Sequence, residues 1–161
     1  MGKQALPPFV LEVLTSEYLI DGTVPGDTSI FFPKPNELGY PIQFTNAKIQ
    51  STKTTEASAR TYTHYIFTRN DAIALIPRMD FTQLPLYSSW KQFKNPITGL
   101  FHLGPYWMTG RLMNVTGEHL WGDNPVIDVR FGSQAPGSQW SGLSAPFALV
   151  NGFWIQGWEP D

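Results

Sequence analysis

The 161-residue sequence contains no cysteine. This absence excludes disulfide bonds, thiolate zinc sites, iron–sulfur clusters and cysteine nucleophiles. Charged residues are also scarce, at 15% of the chain, and the formal net charge is -2. A chain without a net positive charge has no overall field that attracts phosphate backbones or anionic lipid surfaces. The charge balance therefore disfavours nonspecific nucleic-acid binding.

Long hydrophobic runs are missing as well. No window approaches the 18 apolar residues of a membrane-spanning helix. At the N-terminus, Pro7 and Pro8 come before any apolar stretch of the length found in signal peptides. These observations predict a cytoplasmic protein that does not insert into membranes.

Apolar residues are nevertheless abundant. They make up 42% of the chain and aromatic residues 14%, which is too apolar a mixture for disorder. The 14 glycines and 14 prolines are spread along the whole length and disfavour long helices, because proline removes a hydrogen-bond donor and glycine weakens a helix interior. The composition predicts an all-β protein.

Short aromatic and β-branched runs separated by turn residues indicate the strands of the first half. The predicted strands are Phe9 to Leu14, Tyr18 to Val24, Ile42 to Gln50, Tyr62 to Thr68 and Ala72 to Ile76. We expect the first two to form a hairpin. The last two would form another hairpin around Arg69-Asn70-Asp71, and Pro77 would end it.

Two segments of the first half and the middle are expected to connect strands. Residues 51 to 60 are rich in Thr, Ser and Ala and predict an exposed connection. Residues 78 to 96 predict a second connector. Within it, Leu86, Trp90 and Phe93 recur at helical spacing, which allows one short helix over 84 to 94.

The second half repeats landmarks of the first in the same order. Tyr18 to Thr23 is echoed by Tyr106 to Arg111, Pro41-Ile42 by Pro125-Val126, and the Asn70 turn by Asn151-Gly152, at offsets of 88, 84 and 81 residues. Loop shortening between two copies of one fold would produce such shrinking offsets. Chance recurrence of common β-protein features is the alternative. The duplication predicts units at 1–80 and 97–161 with a connector at 81–96.

Each half resembles the five-stranded small barrel of the Sm-like family. Leu103-Gly104 followed by Gly110-Arg111-Leu112 is similar to the opening pattern of that family, and Gly22-Thr23-Val24 matches its second element. Residues 66–73 resemble its closing hairpin, with Asn70 where the family has glycine. The resemblance implies two tandem small barrels.

The same resemblance implies binding of uridine-rich RNA only where the loop after the second strand supplies an acidic residue and an asparagine. Neither Gly26-Asp27-Thr28 nor Asn114-Val115-Thr116 has that spacing, and Val150-Asn151-Gly152 lacks the arginine of the closing turn. RNA binding through Arg69, Asn70 and Lys48 is therefore the weakest of the functional hypotheses.

Patterns that indicate catalysis are absent from the sequence. The three histidines, His64, His102 and His119, have no metal-ligand spacing. The serines at 133, 138 and 144 lie in a predicted Gly/Pro-rich loop without the strand-turn-helix context of a nucleophile. The best carboxylate pair for glycoside chemistry is Glu118 with Asp128, and acids so close in sequence are usually just solvated. No phosphate-binding glycine motif occurs. We expect no enzyme activity, no cofactor and no metal.

All six tryptophans lie at or after residue 90. Trp121 and Trp140 stand in glycine-rich sequence, where an exposed indole could stack on a sugar or another flat ligand, with Asp123 and Asp128 as hydrogen-bond acceptors. The alternative is that the tryptophans fill the core or a subunit interface.

Small barrels leave strand edges unpaired, and pairing between copies removes those edges. The sequence therefore predicts a non-enzymatic structural or assembly module that forms homo-oligomers or binds a protein partner. A carbohydrate or small-ligand binding module is the second hypothesis.

Overall fold

The structure is a computed structural model. It describes residues 7–26, 42–53, 59–68, 72–80, 82, 97–113, 123–134, 140 and 142–161, without the side chains of 123 and 124. The predicted helix over 84–94 lies outside these residues. No helix in the described ranges is long and apolar enough to cross a lipid bilayer.

The described residues form one open antiparallel sheet of ten strands, so the all-β prediction is confirmed. The strands are β1 (Phe9–Leu14), β2 (Tyr18–Val24), β3 (Ile42–Ser51), β4 (Arg60–Phe67), β5 (Ala74–Arg78), β6 (Ile97–Leu103), β7 (Tyr106–Leu112), β8 (Asp123–Ser133), β9 (Leu143–Asn151) and β10 (Ile155–Pro160). Their order across the sheet is β10-β6-β7-β8-β9-β5-β1-β2-β3-β4.

The predicted hairpin between β1 and β2 is confirmed in both strands and pairing. Its turn is held by Thr15, whose hydroxyl oxygen accepts hydrogen bonds from the backbone N–H groups of Glu17 and Tyr18. A threonine in this role replaces a glycine because its side chain satisfies the donors that the turn leaves unpaired.

The predicted hairpin between the fourth and fifth strands is wrong. Among the described residues β4 pairs only with β3, whereas β5 lies between β1 and β9. The burial of the two strands explains the difference, because β4 is mostly exposed and suits an edge, while Ala74, Ile76 and Pro77 of β5 are all buried.

The turn at Asn151-Gly152 is likewise not a hairpin. A single 3-10 turn, Gly152–Trp154, separates β9 from β10, and β10 pairs with β6 at the far end of the sheet. The Asn151 side chain caps this turn by accepting a hydrogen bond from the Phe153 N–H at 3.0 Å.

Pro77 does not end the strand as expected. β5 continues through Pro77, opposite Leu11, to Arg78. The ladder between β5 and β9 reaches only Leu75, so Pro77 lies where β5 has one paired neighbour. Proline is tolerated at such locally unpaired edges.

The two halves of the chain have the same strand order. β1 to β5 are arranged as β5-β1-β2-β3-β4, and β6 to β10 as β10-β6-β7-β8-β9. A β-bulge interrupts the pairing of β2 with β3 next to Gly22. A corresponding bulge interrupts the pairing of β7 with β8 next to Gly110. The bulged strands carry Asn46 (φ 54°) and Asp128 (φ 53°) in the left-handed conformation.

These bulges correct the alignment of the halves that the sequence suggests. Counting from Asn46 and Asp128 gives an offset of 82 residues for β3 and β8, not 84. The pairing of β9 with β8 then places Asn151 level with Thr68, not Asn70. The sequence comparison missed these shifts because proline and asparagine recur in turns regardless of register.

The hydrophobic core crosses between the halves. One cluster joins second-half residues such as Phe101 and Met108 to Leu14, Ile73 and Ile76 of the first half. The other cluster is made of first-half residues together with Phe147 and Leu149 of β9. Neither half therefore completes its core alone.

Candidate functional site

The halves meet where β5 pairs with β9, a contact that we call the internal joint. Ala74 is opposite Val150, and Leu75 is opposite Leu149. Asn151 extends this short ladder, since its backbone N–H donates to the Ile73 carbonyl at 2.9 Å and its side-chain amide donates to the Ala72 carbonyl at 3.3 Å.

Arg78 closes the other end of the internal joint. Its guanidinium donates twice to the Ser144 carbonyl, at 3.2 Å each, and its Nε lies 2.6 Å from a carboxylate oxygen of Glu12. The second carboxylate oxygen of Glu12 is buried without a hydrogen-bond partner. Charge-assisted bonds of this kind fix the relative position of three strands.

Tyr106 of β7 reaches across the joint. Its hydroxyl donates to the Thr15 carbonyl at 2.7 Å and also bonds the Thr52 hydroxyl. Because the one phenolic proton goes to Thr15, Thr52 is the donor in the second bond. Burial raises the pKa of Tyr106 to about 12. The expected exposed connection over 51 to 60 is wrong at Thr52, which is 3% exposed and hydrogen-bonded to Tyr106.

Sequence reasoning did not single out Arg78, Thr15 or Thr52. Their contacts join residues 66, 91 and 54 positions apart, and no local pattern marks them. The one available signal was Tyr106 itself, an aromatic residue with a polar tip at the start of the apolar run Tyr106-Trp107-Met108.

A row of charged side chains crosses the first half, from Arg78 through Glu12 and Asp21 to Lys48. Glu12 is opposite Asp21, and Asp21 is opposite Lys48. Partial burial and then the Glu12 charge raise the pKa of Asp21, while Lys48 opposes this shift. Lys48 therefore faces an acidic neighbour, which reduces its use for a phosphate backbone. Arg69 and Asn70, the other two RNA candidates, lie outside the described residues.

Of the two tryptophans predicted to stack on a ligand, Trp121 lies outside the described residues. Trp140 is half-buried and packs against the second-half core, with its ring centroid 5.1 Å from that of Tyr106 in an edge-on arrangement. This position beside the internal joint suits a packing role. Asp123 lies in β8, and its side chain is not described.

Asp128, the remaining ligand candidate, is exposed at the bulge of β8. Its carboxylate pairs with Arg111 at 2.9 Å. It also borders an open depression of about 290 Å³ together with Arg130 and Ser144. A neighbouring depression of about 270 Å³ is lined by Trp107 and again by Arg130. Trp107, which sequence reasoning did not select, thus places an indole next to the surface that Asp128 borders.

The residues considered for catalysis are scattered. His64 is exposed on β4, His102 is half-buried on β6, and Ser133 and Ser144 lie in strands, not in the expected loop. Glu118, His119 and Ser138 lie outside the described residues. Within the described part of the chain, no group of three or more His, Asp or Glu could hold a metal ion.

The two outer edges of the sheet are the remaining candidates for binding. β4 and β10 each have one paired neighbour among the described strands. Ile66 on β4 is 56% exposed and Trp158 on β10 is 44% exposed. Unpaired edges with exposed apolar side chains are prone to pair with another chain.

The chain matches no family model, and no curated protein or solved structure matches it either.

Proposed function

We propose that the protein is a non-enzymatic assembly module that associates with further copies of itself through its strand edges. The observation that carries this proposal is the exposure of Ile66 and Trp158 on the two outermost strands of the sheet. Burial of these side chains together with pairing of the edges would supply the free energy of association. A different protein partner at the same edges is the alternative occupant.

We also propose that the sheet consists of two tandem five-stranded units of the Sm-like type, at 1–80 and 97–161, with a connector at 81–96. The shared strand order supports this assignment, as do the matching bulges at Asn46 and Asp128. In this arrangement β5 and β10 are corresponding closing strands, each paired with the first strand of its unit.

A non-enzymatic role is in keeping with the titratable groups of the described residues. Asp21, Asp80 and Tyr106 have shifted pKa values with local causes: partial burial for Asp21, hydrogen bonds from Thr82 for Asp80, and burial for Tyr106. None of the three shifts is caused by either of the other two groups, so they do not perturb one another as an acid–base pair does.

Binding of a carbohydrate or other small ligand is the second candidate. The depressions beside Asp128 and Trp107 favour it, because the residues that line them include Trp107, Arg130 and Asp128. RNA binding is the weakest candidate, since Lys48 is opposite Asp21.

Light scattering coupled to size-exclusion chromatography, over a range of protein concentrations, tests the assembly proposal. We expect a mass that is a multiple of the single chain and that falls on dilution. A single-chain mass at every concentration would overturn the proposal. Titration of the tryptophan fluorescence with a panel of glycans tests the second candidate, and an unchanged spectrum across the panel counts against it.

A further inference from the structure

We infer that copies of this chain associate head to tail, with β10 of one copy pairing antiparallel with β4 of the next in the register of the internal joint. This inference rests on the proposed self-association and specifies its geometry. The partner at both edges is a second copy of the same chain.

The first argument is the correspondence of the edges. At the internal joint, β9 of the second half pairs with β5 of the first. Within its own half, β9 occupies the place that β4 occupies in the other, and β5 occupies the place of β10. The chain therefore contains one β9–β5 pairing. The two strands that would form the equivalent pairing, β4 and β10, are the outer strands of the described sheet.

The second argument is the identity of the exposed side chains. Counting from the bulges, Ile66 corresponds to Leu149 of the internal joint, and Trp158 corresponds to Leu75. Leu149 is 5% exposed and lies opposite Leu75. In the corresponding register, Ile66 of one copy faces Trp158 of the next, so the contact covers both side chains.

The third argument concerns Tyr18. It corresponds to Tyr106, because Tyr18 precedes the bulge glycine Gly22 by the same four residues as Tyr106 precedes Gly110. Tyr106 is 1% exposed at the internal joint, whereas Tyr18 is 43% exposed. The exposed side chains of Ile66, Trp158 and Tyr18 thus correspond to residues that make contacts between the two halves.

The charges on the two edges favour unlike pairing. β4 carries Arg60 and no acidic residue, whereas β10 carries Glu159 and no basic residue and is followed by Asp161. A β10–β10 contact would bring carboxylates together, and a β10–β4 contact separates them. Contacts between two different surfaces join copies into rings or filaments, not into symmetric dimers.

Cross-linking in solution tests the register. Asn151 and Ile73 are hydrogen-bonded at the internal joint. Thr68 corresponds to Asn151, and Gln156 corresponds to Ile73. Both Thr68 and Gln156 are exposed, and the chain has no native cysteine. We expect a short bismaleimide to link Thr68→Cys protein to Gln156→Cys protein when the two are mixed, and to link neither variant to itself.

Disruption of the edge provides a second measurement. Ile66→Lys places a charge in the proposed contact and should weaken association about tenfold or more. Val10→Lys is the matched control, since Val10 is 40% exposed on β1, inside the sheet, and should leave the mass unchanged. A single-chain mass for the unmodified protein would overturn both this inference and the proposed function. Oligomers that give no mixed cross-link, or that link Thr68→Cys protein to itself, would overturn the register alone.

Discussion

The Tyr106 hydroxyl lies 2.7 Å from the carbonyl oxygen of Thr15, a residue 91 positions earlier in the chain. This buried bond connects the β6–β10 half directly to the first turn of the β1–β5 half. Together with the Arg78 contacts to Ser144 and Glu12, it makes the internal joint a polar as well as an apolar contact. The backbone pairing of β5 with β9 makes the sheet continuous across the halves.

Replacing Tyr106 by phenylalanine removes the bonds to Thr15 and Thr52 while keeping the ring. We expect the free energy of unfolding to fall by about 1 to 3 kcal/mol, because buried polar groups lose a hydrogen-bond partner. Denaturant unfolding at pH 7 measures the change. Tyr62→Phe is the control, since Tyr62 is at the exposed edge and should change stability little. Equal losses in both variants would contradict a special role for Tyr106.

The stability advantage that Tyr106 provides over a phenylalanine at the same position should depend on pH. Because the pKa rises from 10.0 to about 12 on folding, the native state favours the protonated phenol. The advantage is therefore complete below about pH 10 and shrinks as the pH approaches 12. Unfolding of the wild type and Tyr106→Phe at pH 8, 10 and 11 compares the two, and a difference that grows with pH would contradict the assignment.

Asp21→Asn should raise the free energy of unfolding slightly at pH 7, by about 0.5 kcal/mol or less. The pKa of Asp21 is raised in the native state, so folding favours its protonated form. That preference is fully met below pH 3.8 and is lost as the pH rises through the native pKa, which makes the ionised group unfavourable at neutral pH. Urea unfolding at pH 7 and pH 3 measures the difference, which should disappear at pH 3.

The matched control for Asp21 is Asp128→Asn. Asp128 is an exposed carboxylate paired with an exposed Arg111, and such surface pairs contribute little. We expect no gain in stability from this variant at either pH. A gain as large as that of Asp21→Asn would show that burial and the Glu12 charge are not the cause.

Gly132→Ala should destabilise the second half. A methyl group at this position would overlap the indole of Trp107, which lies against the glycine. Overpacking of this kind costs about 1 to 3 kcal/mol and should alter the near-UV circular dichroism of the tryptophans. Gly157→Ala is the control, because its added methyl group would meet nothing closer than His102 at 4.0 Å. Unchanged stability and spectra in Gly132→Ala would contradict the packing of Trp107.

Local patterns were sufficient for the strands. β1, β2 and the core of β3 are predicted within a residue of their observed bounds, because side chains alternate between core and solvent at a period of two. Gly104, between β6 and β7, has a φ of 58°, a conformation that glycine adopts without strain. In contrast, the packing of Trp140 on Tyr106 and the burial of Thr52 had no signal within their own segments.

Composition and local alternation were enough to predict an all-β chain without thiol chemistry, because both are properties of residues that are neighbours in the sequence. The pairing of strands that are distant in sequence depends on tertiary contacts. β5 pairs with β1 and not with β4, and β10 pairs with β6 and not with β9. The paired residues are more than 50 positions apart in the sequence, so no local pattern marks them. That long-range choice created the internal joint, and it left β4 and β10 as the outer edges of the sheet.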